Sequence, residues 1–158
     1  MPDPDIPRIF LVVVDDSEEM PMALYYATRR ARHTGGRVAL LHVTPPPEVV
    51  GLAGVEALMR EEIRQEAEQL LQRLARNVVD DGGALPILHL REGSLRDELL
   101  DLVSSDPTIT VLVLAAGTGP DGPGPLISFL ASKAMTKLRI PVTIVPGGLS
   151  RDQMDQLA

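Results

Sequence analysis

The sequence predicts an α/β domain in which a doubly wound, parallel sheet of five strands lies between two layers of helices. Five short apolar runs rich in Val, Ile and Leu alternate with longer segments whose apolar residues recur every three or four positions. The apolar runs are continuous, which is typical of strands that are buried on both faces. Right-handed crossovers between parallel strands then place helices on both faces of the sheet, in three layers.

The composition is that of one domain with an aliphatic core. The chain has 158 residues, the size of a single domain, and only 3% of them are aromatic. A formal net charge of −7 argues against nucleic acid or an anionic membrane surface as a partner. The absence of cysteine excludes disulfides and thiolate catalysis. The three histidines lie far apart in the sequence, so no metal site is expected.

The first strand and helix occupy the beginning of the chain. The run 8–14, "RIFLVVV", is predicted as a buried strand, and a helix follows it. Ser17 is expected to cap this helix, and Pro21 is tolerated because it lies close to the helix start. Gly35 and Gly36 end the helix. Its buried stripe is predicted from the spacing of Met20, Leu24, Ala27 and Ala31.

The middle of the chain continues the alternation of strands and helices. Residues 37–43 form the second predicted strand, residues 55–80 a long helix and residues 84–90 the third strand. Ser94 begins the next helix in a capping-box pattern, with Asp97 in place of the usual Glu or Gln. The buried stripe of the long helix is predicted at Met59, Ile63, Ala67, Leu70, Leu74 and Val78.

The last part of the chain completes the sheet. Strands are predicted over 108–114 and 141–145, with a helix over 127–138 between them. No apolar run approaches the roughly 20 residues that a membrane-spanning helix needs.

The two ends of the chain are predicted to be a start without a signal peptide and a short C-terminal tail. The first residues, "MPDPDIP", lack the basic and apolar regions of a signal peptide, so we expect a cytoplasmic protein. Residues 1–146 are assigned to a single domain. Residues 147–158 are assigned to a tail that adds a short helix capped at Ser150.

Two loops are the expected place for a ligand. In a doubly wound sheet, ligands bind beyond the carboxyl ends of the strands, where the winding direction reverses. The reversal lies beside the first strand, so the relevant loops are "VDDSEE" after the first strand and "AAGTG" after the fourth. Residues 117–122 spell G-x-G-x-x-G, but this pattern follows the fourth strand and has no acidic residue about 20 positions further on. A dinucleotide site is therefore not predicted, and no P-loop sequence occurs.

The acidic pair Asp15-Asp16 after the first strand has two interpretations. Receiver domains carry such a pair, but they also need an aspartate after the third strand and a lysine after the fifth. Here "LRE" (90–92) and "VPG" (145–147) stand at those places, so the receiver interpretation fails. The alternative is that Asp16 and Ser17 cap the following helix.

Three segments resemble the universal stress protein family, and together they extend over nearly the entire chain. They are "RIFLVVVDDSEEMPMALYYATRRA", "GGRVALLHVTPP", and "VLVLAAGTG" through "ASKAMTKLRIPVTIVPGG". The resemblance implies a five-stranded sheet of order 3-2-1-4-5 and a homodimer formed through the last strand, Ile140 to Val145. In many members it also implies a site for ATP or AMP, with Mg²⁺ only where ATP is bound.

Carried over residue by residue, the resemblance implies a nucleotide site between the first and fourth strands. Asp15, with Val14 before it, matches the acidic position after the first strand, and Val43 matches the position that lines the adenine pocket. The family places phosphates at a motif G-x2-G-x9-G-[S/T]. The corresponding residues of the loop and the helix after it are Ala116, Gly117, Gly119, Gly122, Ala131, Ser132 and Lys133.

The phosphate end departs from the family motif. Counted from Gly119, the spacer is one residue short, and Ala131 puts a methyl group where the family has glycine. Prolines at positions 120, 123 and 125 offer no N–H donors to a phosphate. Asp121 adds a negative charge, which Lys133 can offset in part.

Two functional hypotheses follow. The first is a cytoplasmic, dimeric sensor or regulator with an adenine-nucleotide site between strands one and four. The second is a dimeric protein-interaction module of the same fold that binds no nucleotide. No catalytic residue is assigned, because no nucleophile or pair of acid and base can be recognised from the spacing. Asp15 is the only candidate for a general base, so at most a slow ATPase is expected.

Overall fold

The computed structural model describes residues 7–49 and 51–158, so the prediction about a leader in residues 1–6 lies outside the described residues. The strands are β1 (Ile9–Val14), β2 (Arg37–Thr44), β3 (Ile87–Glu92), β4 (Ile109–Ala116) and β5 (Val142–Pro146). The helices are α1 (Met20–Thr34), α2 (Ala53–Asp80), α3 (Leu95–Ser105), α4 (Pro125–Leu130) and α5 (Arg151–Leu157), and a 3₁₀ helix spans Lys133–Lys137.

All five strands are parallel, in the order β3-β2-β1-β4-β5, which confirms the predicted fold class and strand order. Side chains of β1 alternate between two aliphatic cores. Phe10 and Val12 face the layer of α1, α2 and α5. Leu11 and Val13 face the layer of α3 and α4. The central strand is thus buried on both faces, as its continuous apolar run predicts.

The start of α1 differs from the prediction. Ser17 does not cap the helix; Glu19 occupies the N-cap position without a side-chain bond to the first turn. The amide and hydroxyl of Ser17 both donate to Asp15 Oδ1, at 3.0 and 2.5 Å. The aspartate two residues earlier therefore forms a local turn with Ser17, and this turn competes with capping. The predicted stripe of α1 is confirmed, since all four of its members are buried.

The long helix α2 is buried over only part of its predicted stripe. Ala67, Leu74 and Val78 are buried, whereas Met59 and Ile63 are half-exposed. A helix of 28 residues is about 42 Å long, so the N-terminal half of α2 extends past the strands that its C-terminal half covers. None of the helices in residues 7–49 and 51–158 has the length and apolar character needed to cross a membrane.

Two element boundaries are wrong for reasons visible in the backbone. β3 begins at Ile87 rather than at residue 84, since Pro86 has no N–H group to add to the sheet. The helix predicted over 127–138 is interrupted after Leu130, where the Ser132 backbone leaves helical geometry at φ −91° and ψ −140°. The Ser132 hydroxyl donates to the carbonyl of Phe129 at 2.6 Å, a local bond of the kind that competes with helix continuation.

The two predicted serine caps have different outcomes. Ser150 caps α5 in a complete capping box: its hydroxyl accepts from the Gln153 amide at 3.2 Å, and Gln153 Oε1 accepts from the Ser150 amide at 2.9 Å. Ser94 is the N-cap residue of α3, but its side chain makes no capping bond, so the predicted capping box is wrong. The side chain of Asp97 is one methylene shorter than that of Gln153, which explains why it does not reach back to the N-cap amide.

Candidate functional site

A cavity of about 500 Å³ opens beyond the carboxyl ends of β1 and β4, at the point where the winding of the sheet reverses. Its walls come from the turn between β1 and α1, the end of β4, and the first residues of α3 and α4. The α3 wall is present because the chain must cross the sheet from β3 to reach β4 on the far side of β1. The residues that line the cavity through polar or charged side chains are Asp15, Asp16, Ser17, Glu19, Ser94 and Arg96.

The charge of the cavity is predominantly negative. Three carboxylates, those of Asp15, Asp16 and Glu19, face one guanidinium, that of Arg96. Asp15 and Glu19 are half-buried, so their charges are screened less than those of surface groups. Apolar residues, including Val113 and Ala115 of β4, form the rest of the wall. The cavity can therefore hold a ring-shaped ligand against apolar walls while carboxylates accept hydrogen bonds from its amino or hydroxyl groups.

The glycine loop after β4 is closed on itself. The amide of Gly117 donates to the carbonyl of Pro123 at 3.0 Å, and the amide of Gly122 donates to the carbonyl of Gly119 at 3.4 Å. Two of the amides that a phosphate would use are thus already bonded within the loop. Prolines at 120, 123 and 125 remove three further donors. Gly117 and Gly122, the first and third of the predicted loop glycines, therefore shape the turn and do not offer free amides to a ligand.

Glu19 lies against this loop. Its Oε1 atom is 3.4 Å from the point where a β-carbon on Gly117 would lie, and 4.0 Å from the corresponding point on Gly124. A carboxylate thus stands beside the glycines, on the side where the family places phosphates. Since like charges repel strongly when they are partly removed from water, this position is unfavourable for a di- or triphosphate.

Ala131 and Ser132, two further predicted residues of the phosphate end, are not among the described residues that line the cavity. Ala131 follows α4 and donates its amide to Ile127, at 2.9 Å, and Ser132 donates both amide and hydroxyl to Phe129. Both residues are exposed. Lys133 begins the 3₁₀ helix, and its side chain lies outside the described part of the chain.

The predicted residues of the adenine end are spread over the strand ends. Val14 is buried in the core of the α1 face, and its carbonyl lies 3.0 Å from Nδ1 of His42. Val43 is partly buried one residue before the end of β2, and Ala116 is the last residue of β4. Among the described residues that line the cavity, Asp15 is the one that the sequence assigned to nucleotide binding.

Arg96 is a cavity residue that the sequence reasoning missed. Its guanidinium carbon lies 4.7 Å from the centre of the Phe129 ring, in a cation–π contact between α3 and α4. Within residues 7–49 and 51–158, Arg96 makes no ion pair or hydrogen bond. Its neighbour Arg91 differs: bonds to Asp101 and Glu98 hold the pKa of Arg91 above its usual value.

The sequence does contain a signal for Glu19 and Arg96, the two cavity residues that were missed. Glu19 belongs to the loop "VDDSEE" after β1, which was expected to lie at the ligand site, but only Val14 and Asp15 of this loop were assigned to nucleotide binding. Arg96 follows the predicted helix start at Ser94, and the crossover from β3 to β4 passes over β1. Attention to that crossover would have placed the start of α3 beside the reversal point.

Comparison with known proteins supports the fold and identifies the family. The sequence profile described as "Universal stress protein family" matches residues 7–146. Universal stress protein UspA from Lactobacillus plantarum is similar in structure, with a TM-score of 0.71 and 17% identity; the match covers 87% of this chain and 97% of that one. Among curated proteins, comparison by sequence finds no match.

Two further similar structures carry nucleotides. A universal stress protein solved in complex with cAMP has a TM-score of 0.65 and 15% identity, over 89% of this chain and 98% of that one. The universal stress protein from Archaeoglobus fulgidus in complex with dAMP has a TM-score of 0.60 and 20% identity. This match also covers 89% of this chain and 98% of that one. The profile match over most of the chain, together with the strand order, shows that the chain belongs to the universal stress protein family.

Proposed function

We propose that this protein is a cytoplasmic sensor or regulator that binds an adenine nucleoside monophosphate in the cavity between β1 and β4. The observation that carries the proposal is the cavity itself: about 500 Å³ of space at the winding reversal, with carboxylates beside apolar walls. The amino group of adenine and the hydroxyls of ribose are donors that Asp15 and its neighbours can accept from. Two similar structures carry cAMP and dAMP, each with a single phosphate.

A monophosphate fits this site better than ATP. The glycine loop uses the amides of Gly117 and Gly122 for its own closure, and Glu19 stands beside it. Three phosphates would add more negative charge to a cavity that three carboxylates already line, and the glycine loop offers them few donors. The proposal therefore includes neither the binding of an Mg²⁺-ATP complex nor the hydrolysis of ATP.

The proposal is tested by blocking the cavity. Ala115 lines the cavity and packs against the core of the α1 face, so Ala115→Leu fills space in the cavity, and its melting temperature verifies that the core tolerates the change. We expect wild-type protein to bind AMP in calorimetry, and Ala115→Leu to weaken that binding by about tenfold or more. Ala57→Leu, on the exposed part of α2, is the matched control. Equal AMP affinity in all three proteins would contradict binding in this cavity.

A second function is favoured by a different observation. β5 is an edge strand of the sheet, and Ile144 on it is 48% exposed. An open apolar edge of this kind is suited to pairing with another strand. We propose, as the alternative, a dimeric interaction module that pairs through residues 140–145 and carries no nucleotide. Nucleotide released from purified protein on denaturation would favour the first function, and its absence together with a stable dimer would favour the second.

A further inference from the structure

We infer that Arg96 binds the phosphate of the ligand, and that Glu19 keeps phosphate away from the glycine loop. The two residues would together make the site selective for one phosphate over three. This inference rests on the proposed function, because it concerns the orientation of a nucleotide in the same cavity. It differs from what the family resemblance implies, which is a phosphate site at the glycine loop.

The guanidinium of Arg96 is available for an anion. It lines the cavity, and one of its faces lies against the Phe129 ring at 4.7 Å. This cation–π contact restricts the side chain without using the N–H donors of the guanidinium for hydrogen bonds. Five other arginines of the described chain are paired with carboxylates, whereas Arg96 has neither an ion pair nor a hydrogen bond there. The paired ones are Arg29, Arg60, Arg64, Arg91 and Arg151.

A guanidinium held in this way suits a phosphate. Its planar fork can donate two parallel hydrogen bonds to a phosphate, which adds direction as well as strength. The stacked Phe129 reduces the side-chain freedom that Arg96 would otherwise lose on binding. Among the described residues that line the cavity, Arg96 supplies the positive charge.

Glu19 acts at the other wall of the cavity. Its carboxylate lies 3.4 Å from the β-carbon position of Gly117 and lines the cavity together with Asp15. The amino group of adenine would be attracted to this wall, and phosphates would be repelled from it. The two charges come from different elements, the turn before α1 and the start of α3. The ligand would thus lie with its base toward the carboxylates and its phosphate toward Arg96.

The inference is tested with adenosine, AMP and ATP as calorimetric probes on four proteins: wild type, Arg96→Gln, Arg96→Lys and Glu19→Gln. Arg96→Gln should weaken the binding of AMP by about tenfold or more. It should leave the affinity for adenosine unchanged, because of the two ligands only AMP has a phosphate. Arg96→Lys should keep part of the AMP affinity, because it keeps the charge and loses the fork. Glu19→Gln should increase the affinity for ATP more than the affinity for AMP. Arg73→Gln, on the exposed face of α2, is the control.

The outcomes separate this inference from the proposed function. AMP affinity that is equal in wild type and Arg96→Gln contradicts the role of Arg96 but leaves a nucleotide in the cavity. ATP affinity that is unchanged in Glu19→Gln contradicts the role of Glu19. If neither adenosine nor AMP binds to the wild type, the proposed function fails and the inference fails with it. Arg96 is exposed, so its variants should fold, and equal melting temperatures would verify this.

Discussion

The carboxylate of Glu19 borders the space beside Gly117: Oε1 lies 3.4 Å from the point where a β-carbon on Gly117 would stand. That point is also 3.2 Å from the carbonyl oxygen of Gly122, on the other side of the loop. The glycine loop is therefore packed between its own backbone and the start of α1. Contacts within the protein therefore fix the shape of this loop. In a phosphate-binding loop, the same positions would be left open for the ligand.

The same loop is also supported by the turn that follows β5. A β-carbon on Gly147 would collide with the carbonyl oxygen of Ala116, and it would stand 3.3 Å from Cγ2 of Thr118. We predict that Gly147→Ala lowers the free energy of unfolding by about 1–3 kcal/mol, because the backbone must shift to admit the methyl group. Urea denaturation measures this change.

Gly148 supplies the matched control for that prediction. Its β-carbon would meet nothing closer than Cγ2 of Thr118 at 3.8 Å, an ordinary contact. Gly148→Ala should therefore change the free energy of unfolding by less than about 0.5 kcal/mol. If the two variants lose the same free energy of unfolding, the close approach of Gly147 to β4 does not contribute to stability.

The C-terminal helix α5 is attached to α1 by a polar cluster around Asp155. The hydroxyl of Tyr25 donates to Asp155 Oδ1 at 2.7 Å, and Arg29 Nε lies 3.0 Å from the same oxygen. We predict that Tyr25→Phe lowers the free energy of unfolding by about 1.5–3 kcal/mol, as expected for one hydrogen bond to a charged acceptor. Hydrogen exchange of the α5 amides should accelerate in the same variant.

Tyr26 provides the control for the tyrosine substitution. It is only partly buried, and its hydroxyl makes no hydrogen bond within residues 7–49 and 51–158. Tyr26→Phe should leave both stability and exchange of α5 close to those of the wild type. If Tyr25→Phe behaves like Tyr26→Phe, the hydrogen bond to Asp155 does not hold α5 in place.

His89 on β3 should make the stability depend on pH below neutrality. Burial lowers the pKa of His89 below its usual 6.5, more than nearby Asp106 raises it, and Arg91 lowers it further. Above pH 6.5 the ring is neutral in both folded and unfolded chains, so it contributes no pH dependence. As the pH falls below that value, the unfolded chain takes up a proton first, and stability is lost until the pH reaches the pKa of the folded state.

The His89 prediction is measured as the pH dependence of the free energy of unfolding between pH 7 and 5. His89→Gln removes the titrating group, so its curve should be flatter than that of the wild type. Identical slopes in wild type and His89→Gln would show that the buried ring does not resist protonation.

The edge strand β5 should be the dimer interface. Ile144 is 48% exposed on β5, and a charged side chain there would be buried in a strand-to-strand contact. We predict that light scattering finds a dimer for the wild type and a monomer for Ile144→Glu at micromolar concentration. Leu88→Glu, at a 42% exposed position on β3, the opposite edge strand, should remain a dimer. A wild-type monomer, or dissociation by Leu88→Glu instead, would contradict pairing through β5.

The order of elements could be predicted from the sequence because it depends on long, redundant signals. The run 8–14 contributes six consecutive apolar residues, and the stripe of α1 repeats over about three turns. The interruption at Ser132 could not be predicted in this way. It depends on one hydroxyl that bonds to the carbonyl of Phe129, and the apolar spacing on both sides of it still has helical period.

The location of the site could be predicted from the sequence, but its chemistry could not. Strand order fixes where the winding reverses, so a cavity beside Asp15 could be expected, whereas the role of Asp15 in nucleotide binding stays a prediction. The position of Glu19 beside Gly117 and of Arg96 above Phe129 depends on how α1, α3 and α4 pack together. No local spacing encodes such contacts. The division into a 1–146 domain and a 147–158 tail, like the assignment of the glycine loop to nucleotide binding, stays a prediction.

The most direct measurement is the ratio of the dissociation constants of AMP and ATP for the wild-type protein, obtained by calorimetry in one buffer. With Glu19 beside the glycine loop and the amides of Gly117 and Gly122 already bonded, AMP should bind at least about tenfold more tightly than ATP. ATP that binds as tightly as AMP, or more tightly, would contradict a site built for a single phosphate.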